Sequence, residues 1–346
     1  MNFMMPLMML IMNGITLLIV WFGAKGIDLG NLQVGDMLAF ITYTMQIVSA
    51  FLMITMISIM LPRAGVAAER IDEVLNTEPG ITDKESVKDG QLEQVKGEVR
   101  FEHVSFRYPD ADEDALKDID FTALPGMTTA IIGSTGCGKS TLLHLIPRFY
   151  DVTGGKITID GVDIRDISQH KLRSLLGFVP QKGVLFSGDI ASNIKFGGSH
   201  ITDEAMAEAA RIAQAEEFIT EKPEGYHSEI AQGGTNVSGG QKQRLSIARA
   251  IAKDSKIFLF DDSFSALDYK TDVALRRALT EKMRDAAVII VAQRISTILH
   301  ADQILVLDEG KIVGRGTHEE LLKSCETYQE IARSQLSEAE LKGGTA

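Results

Sequence analysis

The chain has 346 residues, enough for two or three structural units, and 45% of its residues are hydrophobic. Acidic residues outnumber basic residues by 47 to 35, which gives a formal net charge of -12 at pH 7. A surface that binds nucleic acid normally clusters Lys and Arg, and no such cluster occurs, so the composition argues against a nucleic-acid partner.

Two apolar runs occupy residues 3–23 and 38–61. Each has roughly the 20 residues that a helix needs to cross a bilayer. A signal peptide is the alternative for the first run, but a basic start and a small-residue cleavage site are missing. A buried core helix is the alternative for the second run, which contains no charged residue. We therefore expect two transmembrane helices, and Arg63 and Arg70 place the segment after the second helix in the cytoplasm.

The segment after the spans predicts a cytoplasmic α/β domain. The second helix is expected to continue through residues 63–75, and residues 76–96 form a polar linker to a domain at 97–340. Buried strands alternate with helical patterns there, which indicates a largely parallel sheet. The expected elements are strands at 97–108, 129–132, 257–260 and 287–292, helices at 138–144, 202–219 and 239–252, and hairpins that pair 156–159 with 162–164 and 304–307 with 311–313.

A phosphate-binding loop lies between the strand at 129–132 and the helix after it. Its sequence is Gly133-Ser134-Thr135-Gly136-Cys137-Gly138-Lys139-Ser140-Thr141, of the form GxxxxGK[ST]. The glycines let backbone N–H groups approach the phosphates, and the helix N-terminus adds its positive dipole. Lys139 is expected to reach the β- and γ-phosphates, and the Ser140 hydroxyl to ligate Mg²⁺.

Two further segments contain candidate binding residues, one for a metal ion and one for an anion. The apolar strand at 257–260 ends in Asp261, whose carboxylate can hold the water shell of the metal ion. The run Ser238-Gly239-Gly240-Gln241 begins the helix at 239–252, so its hydroxyl and N–H groups form a second anion-binding end.

These motifs, in this order and spacing, resemble the C-terminal part of an ATP-binding cassette (ABC) exporter half-transporter over nearly the full chain. The resemblance implies an α/β P-loop nucleotide-binding cassette with a helical subdomain at about 180–250, behind two transmembrane α-helices, that binds ATP and Mg²⁺. Tyr108 matches the residue that stacks on adenine, and Gln181 the residue that senses the γ-phosphate and Mg²⁺. Residues 238–241 match the signature motif, with Val237 in place of the usual Leu, and residues 265–268 the loop that contacts the other cassette.

The sequence departs from the family pattern at two catalytic positions. The family's catalytic base is a Glu where this chain has Asp262, and its switch residue is a His where this chain has Gln293. Asp is one methylene shorter, which withdraws the carboxylate by roughly 1.5 Å, and errors of that size can cost about 10²-fold in rate. Gln can donate a hydrogen bond but cannot take a positive charge. Both changes fall on one site, so we expect slow hydrolysis there.

A heterodimer would reconcile these departures with transport. In the family, the signature motif completes a site on the opposite subunit, so we expect a second half-transporter subunit with an intact Glu and His. A slowly hydrolysing homodimeric pump is the alternative, and a regulatory ATP-binding subunit with little hydrolysis of its own is another. A soluble cassette ATPase of the DNA-repair or translation type is disfavoured by the two spans.

The remaining expectations concern the membrane and the cargo. The protein is expected to be integral to the cell membrane, with the cassette in the cytoplasm and the lipid bilayer around its helices. The family's four preceding helices are not in the sequence, so the chain is expected to be a fragment or to have a misplaced start. The transported substrate is expected to be small and apolar, as in multidrug export, on family likeness alone.

Overall fold

The computed structural model describes residues 3–265 and 267–336. Ala266, in the loop at 265–268, and residues 337–340, at the expected end of the cassette, therefore lie outside the described residues. The chain forms two compact units, Met1–Gly80 and Ile81–Ala346. The second unit begins inside the segment that the sequence assigns to a linker.

The N-terminal unit contains two long helices, α1 (Met4–Asp28) and α2 (Val34–Leu75). Both are long and apolar enough to cross a membrane by length and composition. The 42 residues of α2 extend over about 63 Å at about 1.5 Å per residue, twice the roughly 30 Å of a bilayer's hydrocarbon core. The expected continuation past the second apolar run is confirmed, and Pro62 lies inside the helix without ending it.

Along residues 3–23 and 38–61, the surface of these helices is mostly apolar. Large side chains such as Trp21, Phe40 and Phe51 are exposed. The hydroxyl groups of Thr42 and Thr55 instead donate to main-chain oxygens four residues earlier, at 2.9 and 2.8 Å. The helices thus satisfy these polar groups internally, as a hydrocarbon environment requires.

The second unit is built on two main sheets. Its strands are β1 (Val99–Phe106), β2 (Leu116–Ala123), β3 (Thr128–Gly133), β4 (Gly154–Ile159), β5 (Val162–Asp163), β6 (Leu176–Val179), β7 (Gly188–Asp189), β8 (Glu229–Ile230), β9 (Ile257–Asp261), β10 (Ala287–Val291), β11 (Gln303–Asp308) and β12 (Lys311–Gly316). One sheet has the order β12-β11-β3-β10-β9-β6 and is parallel except for the β12 edge; the other, β2-β1-β4-β5, is antiparallel, and β7 pairs with β8. The largely parallel sheet and both expected hairpins are confirmed.

Helices complete the unit and cover the parallel sheet. They are α3 (Lys139–Leu145), α4 (Gln169–Ser174), α5 (Ile190–Ile194), α6 (Asp203–Ile212), α7 (Glu216–Thr220), α8 (Gly239–Ala252), α9 (Tyr269–Lys282), α10 (Ile295–Ile298), α11 (His318–Ser324) and α12 (Glu326–Gln335). The single helix expected at 202–219 is wrong: α6 and α7 are separate because Gln214 lies between them with φ 55°, outside the helical region.

Successive residues of the parallel strands face two different cores. On β9, Phe258 and Phe260 join the core that also contains residues of α6 and α8. Ile257 and Leu259 join the core between the two main sheets. Because helices or strands cover both faces, these strands are continuously apolar rather than alternating. That pattern made β9 and β10 recognisable from the sequence.

The segment from Ile81 onward is held on the cassette by charged side chains. Asp89 accepts hydrogen bonds from the Ser168 amide at 2.9 Å and the Ser168 hydroxyl at 2.6 Å. Lys84 and Lys88 both pair with Asp166, and their hydrogen bonds lower the pKa of that carboxyl to about 2. These contacts explain why the compact unit starts at Ile81.

Candidate functional site

The functional candidates meet at one edge of the parallel sheet. The phosphate loop follows β3, Asp262 follows β9, and Gln293 and Gln181 come two residues after β10 and β6. These four strands are parallel, so the residues after their carboxyl ends lie at the same edge. The sheet thus gathers motifs that are up to 160 residues apart in the chain.

The backbone conformation of the phosphate loop favours glycine at positions 136 and 138. Gly136 and Gly138 have φ values of 87° and 103°, in the region that side chains rarely adopt. A Cβ atom at Gly138 would lie 2.9 Å from Cδ2 of Leu116 and 3.0 Å from the main-chain oxygen of Ala115. The loop conformation therefore depends on the absence of a side chain at position 138.

Lys139 points back into the phosphate loop. It is only 8% exposed, and its Nζ donates to the main-chain oxygens of Gly133 at 2.9 Å and Ser134 at 2.6 Å. The sulphur of Cys137, itself buried, lies 3.8 Å from the same Nζ. The loop thus holds one positive charge at its centre, where it suits a phosphate.

A hydroxyl and a carboxylate face each other beside the loop. Ser140 Oγ donates to Oδ1 of Asp261 at 2.8 Å, and His144 Nε2 lies 3.5 Å from Oδ2 of the same carboxylate. Mg²⁺ prefers oxygen ligands and usually takes one or two from protein, with the rest from phosphates and water. Ser140 and Asp261 fit this cation.

Two amide side chains converge on the carboxylate of Asp262. Gln181 Nε2 lies 3.2 Å and Gln293 Nε2 2.8 Å from the same oxygen, Oδ2. The main chain of Asp262 has φ 45°, and its N–H donates to the Val291 oxygen at 2.9 Å, which fixes the residue against β10. Burial raises the pKa of the Asp262 carboxyl, and the hydrogen bond from Gln181 opposes this shift.

Tyr108 lies beside the end of the phosphate loop. Its hydroxyl is 3.0 Å from Oγ1 of Thr141. Its ring makes edge contacts with Phe106 and Tyr150, whose centroids are 4.8 and 5.3 Å away. The ring is half-buried, so one side is held by aromatic neighbours while part of it is accessible.

The motif at 238–241 begins α8. Ser238 Oγ accepts from the Gln241 N–H at 3.3 Å, and Gln241 Oε1 accepts from the Ser238 N–H at 3.0 Å, which makes a capping box. Ser238 and Gly239 are exposed, and Gly240 is half-buried. Among the hydrogen bonds of residues 3–265 and 267–336, none joins this motif to the phosphate loop of the same chain.

Sequence reasoning missed two glutamines that hold the loops around Asp262. Gln243, buried in α8, accepts from the Gly183 N–H at 3.0 Å and donates to the Pro180 oxygen at 3.1 Å, so it clasps the loop that carries Gln181. Gln335 makes a similar pair of bonds around Gln293. Gln243 lies near the signature motif in sequence, but no sequence signal marks Gln335.

Comparisons with known proteins agree with this architecture. The ABC transporter family model matches residues 116–265. An uncharacterized ABC transporter ATP-binding protein of Mycobacterium bovis is 47% identical over 343 residues, 98% of this chain and 58% of that protein. An ATP-dependent lipid A-core flippase of Xanthomonas oryzae is 39% identical over 326 residues, 94% of this chain and 54% of the flippase. The solved structure of a bacterial Atm1-family ABC exporter with ATP bound is similar with a TM-score of 0.75 and 33% identity, covering 95% of this chain and 57% of that one.

Residues 116–265 therefore belong to the ABC transporter family, and the chain as a whole is similar to ATP-binding/permease proteins and has the fold of an Atm1-family exporter. The expected fold class, a P-loop cassette behind two apolar helices, is confirmed. The chain spans a little more than half the length of these relatives, 58% and 54%.

Proposed function

We propose that the chain is part of one subunit of an ABC exporter that uses ATP to move a substrate across the cell membrane. The cassette lies in the cytoplasm, and α1 and α2 are two of the helices that surround the substrate path. ATP binding closes two cassettes on each other, and hydrolysis resets them. The contacts around the phosphate loop and Asp262 support this function.

The nucleotide is held by the loop of residues 133–141 and by Tyr108. Lys139 neutralises the phosphates, and the Tyr108 ring stacks on the adenine. Ser140, Asp261 and Gln181 hold Mg²⁺, which would neutralise charge on the transferred phosphoryl group. The 2.8 Å contact between Ser140 and Asp261 supports this metal site, since both oxygens can turn to one cation.

The site on this chain hydrolyses ATP slowly. The observation that carries this proposal is the pair of amides, from Gln181 and Gln293, on Oδ2 of Asp262. The two amides fix the Asp262 carboxylate, whose side chain is one methylene shorter than that of Glu. The carboxylate therefore remains too far from a water at the γ-phosphate to activate it efficiently. Gln293 also lacks the positive charge that a His could offer to the transition state.

The partner is a second half-transporter subunit that carries a competent Glu and His. The signature residues 238–241 of this chain complete the site on that partner, as an exposed helix N-terminus can do for a γ-phosphate through N–H groups such as those of Gly239 and Gly240. Slow hydrolysis at one site is compatible with transport only if the other site is active. A homodimer that hydrolyses slowly through Asp262 is the second candidate, because Asp can act as a general base.

The apolar surface of the two helices and the name of one relative support a proposal for the substrate class. One relative is named a lipid A-core flippase, and α1 and α2 expose many apolar side chains, including several methionines. Flexible thioethers adapt to varied apolar surfaces. We propose a small, apolar or amphipathic substrate, as in multidrug or lipid export.

Substitution of the signature serine distinguishes the heterodimer with one slow site from the slowly hydrolysing homodimer. In a complex with the partner, Ser238→Arg in this chain should lower ATP turnover at least about tenfold, because it blocks the competent site. The same change at the partner's signature serine should leave most turnover, because it blocks only the slow site. Ser199→Arg, at an exposed serine outside the site, is the control. Equal losses from both signature changes would refute the asymmetric arrangement.

A further inference from the structure

One side chain at the end of α12 holds the segment that carries Gln293. Gln335 Nε2 donates to the main-chain oxygen of Gln293 at 2.8 Å. Gln335 Oε1 accepts from the N–H of Ile295 at 2.9 Å. A single amide therefore bridges the main chain on both sides of Arg294.

The bond to Ile295 satisfies an N–H group that its own helix leaves open. Ile295 is the first residue of α10, so its N–H has no partner inside the helix. Arg294, at the N-cap position, supplies no side-chain acceptor. Gln335 takes that role from a different helix, and so fixes where α10 begins relative to the strand before it.

The helix that carries Gln335, α12, packs against the core of the unit. Tyr328 and Ala332 of α12 are fully buried. The Tyr328 hydroxyl lies 2.8 Å from Nδ1 of His318. Gln335 comes one turn after Ala332, on the same side of the helix, so its position is set by this buried packing.

We propose that Gln335 is a positioning residue for the Asp262 site. Upstream of Gln293, the Ala292 N–H donates to the Ile131 oxygen at 3.0 Å; downstream, Gln335 makes the contacts described above. Because the main chain is fixed on both sides of Gln293, the side-chain amide of Gln293 is oriented toward Asp262. This role rests on the proposed function of that site, and it makes α12 part of the ATPase machinery.

Two substitutions separate the two bonds of Gln335 in the full-length exporter. Gln335→Ala removes both bonds, whereas Gln335→Glu keeps an acceptor for Ile295 but loses the donor to Gln293. Glu330→Ala, at an exposed position on the same helix, is the matched control. Amide hydrogen exchange over residues 293–299 reads the position of the segment without reference to activity.

The exchange of the Ile295 amide should rise about fivefold in Gln335→Ala, the effect of one lost hydrogen bond, and stay near the parent value in Gln335→Glu and Glu330→Ala. Unchanged exchange at Ile295 in Gln335→Ala, or a rise spread over the whole cassette, would overturn the proposal.

Turnover is measured in the Asp262→Glu background with the partner's site disabled, so that the remaining ATP hydrolysis comes from this chain's own site. Both Gln335 substitutions should lower kcat about three- to tenfold there, with KM for ATP within about twofold. When Gln293→Ala is added, variants with and without the Gln335 substitution should have the same kcat. If the losses from Gln293→Ala and from the Gln335 substitution add instead, the proposal is overturned. A silent Asp262→Glu site would count against the proposed function instead, while exchange at Ile295 would still decide the role of Gln335.

Discussion

Gln293 Nε2 donates a hydrogen bond of 2.8 Å to Oδ2 of Asp262, so the two catalytic residues that depart from the family pattern contact each other. The contact makes the two departures interdependent: the amide at position 293 fits the shorter carboxylate at position 262. A longer Glu at 262 with Gln293 unchanged, or a His at 293 with Asp262 unchanged, would meet a partner shaped for a different side chain.

The paired substitution should therefore restore hydrolysis better than either change alone. Asp262→Glu with Gln293→His should raise turnover at this site at least about tenfold, because the carboxylate advances and a chargeable donor returns. Each single change should raise the logarithm of the turnover rate by less than half as much as the double change does. Turnover of the full-length subunit, with the partner's site disabled, measures the effect. Additive gains from the single changes would contradict the coupling between positions 262 and 293.

Removing the charge of Asp262 should stabilise the fold while lowering hydrolysis. Burial raises the pKa of this carboxyl above its ordinary value, so the folded protein holds the proton more tightly than the unfolded chain. The resulting stability is present below the unfolded pKa and is lost as the pH rises through the folded pKa. At pH 7 we expect Asp262→Asn to unfold at a higher temperature than the parent.

This difference should shrink as the pH is lowered toward the Asp262 pKa, since the parent carboxyl then becomes neutral too. Thermal unfolding of the full-length chain at several pH values measures it. Asp110→Asn, at an exposed carboxylate, is the control and should change little. A less stable Asp262→Asn protein at pH 7 would show that the charged form is favoured in the fold.

A methyl group at Gly138 should damage nucleotide binding. Gly138→Ala places a Cβ atom against Leu116 and the Ala115 oxygen in a backbone region that alanine avoids. The loop must shift, so we expect ATP affinity to fall at least about tenfold. Gly90→Ala is the matched control, because a Cβ atom there meets nothing within 4 Å. Equilibrium binding of a fluorescent ATP analogue reports the loss, and equal affinities of the two variants would refute it.

The ring of Tyr108, rather than its hydroxyl, should carry the adenine contact. Tyr108→Phe loses only the 3.0 Å contact with Thr141, and we expect ATP affinity within about threefold of the parent. Tyr108→Ala removes the stacking surface and should weaken binding about tenfold or more. Competition between ATP and tripolyphosphate separates adenine from phosphate binding. Similar losses for both nucleotide and tripolyphosphate in Tyr108→Ala would contradict adenine stacking.

The sequence was sufficient to predict the class of fold and several of its main elements, but no expectation covered β2, β6 or α9. Strands β9 and β10 are continuously apolar because both faces of the parallel sheet are covered, and α8 begins at the Ser238 cap that the sequence displays. The break between α6 and α7 was not predictable, since it depends on a positive φ at Gln214 in an otherwise helical pattern.

The motif residues of the site were predictable, but their contacts and the two glutamines that hold them were not. The motif spacing indicated that Asp262 and Gln293 belong to one site, but only the structure gives their hydrogen bond and the second amide from Gln181. Gln335 was unpredictable because it contacts main-chain atoms, which impose no pattern on the sequence at either end.

ATP turnover of the full-length subunit, alone and in complex with the second half-transporter, is the decisive measurement when each is compared with its Asp262→Ala variant. The expected result is negligible turnover alone and clear turnover with the partner, the latter retained in Asp262→Ala. Robust turnover of the subunit alone that Asp262→Ala abolishes would contradict it and make Asp262 the working base of a homodimeric pump.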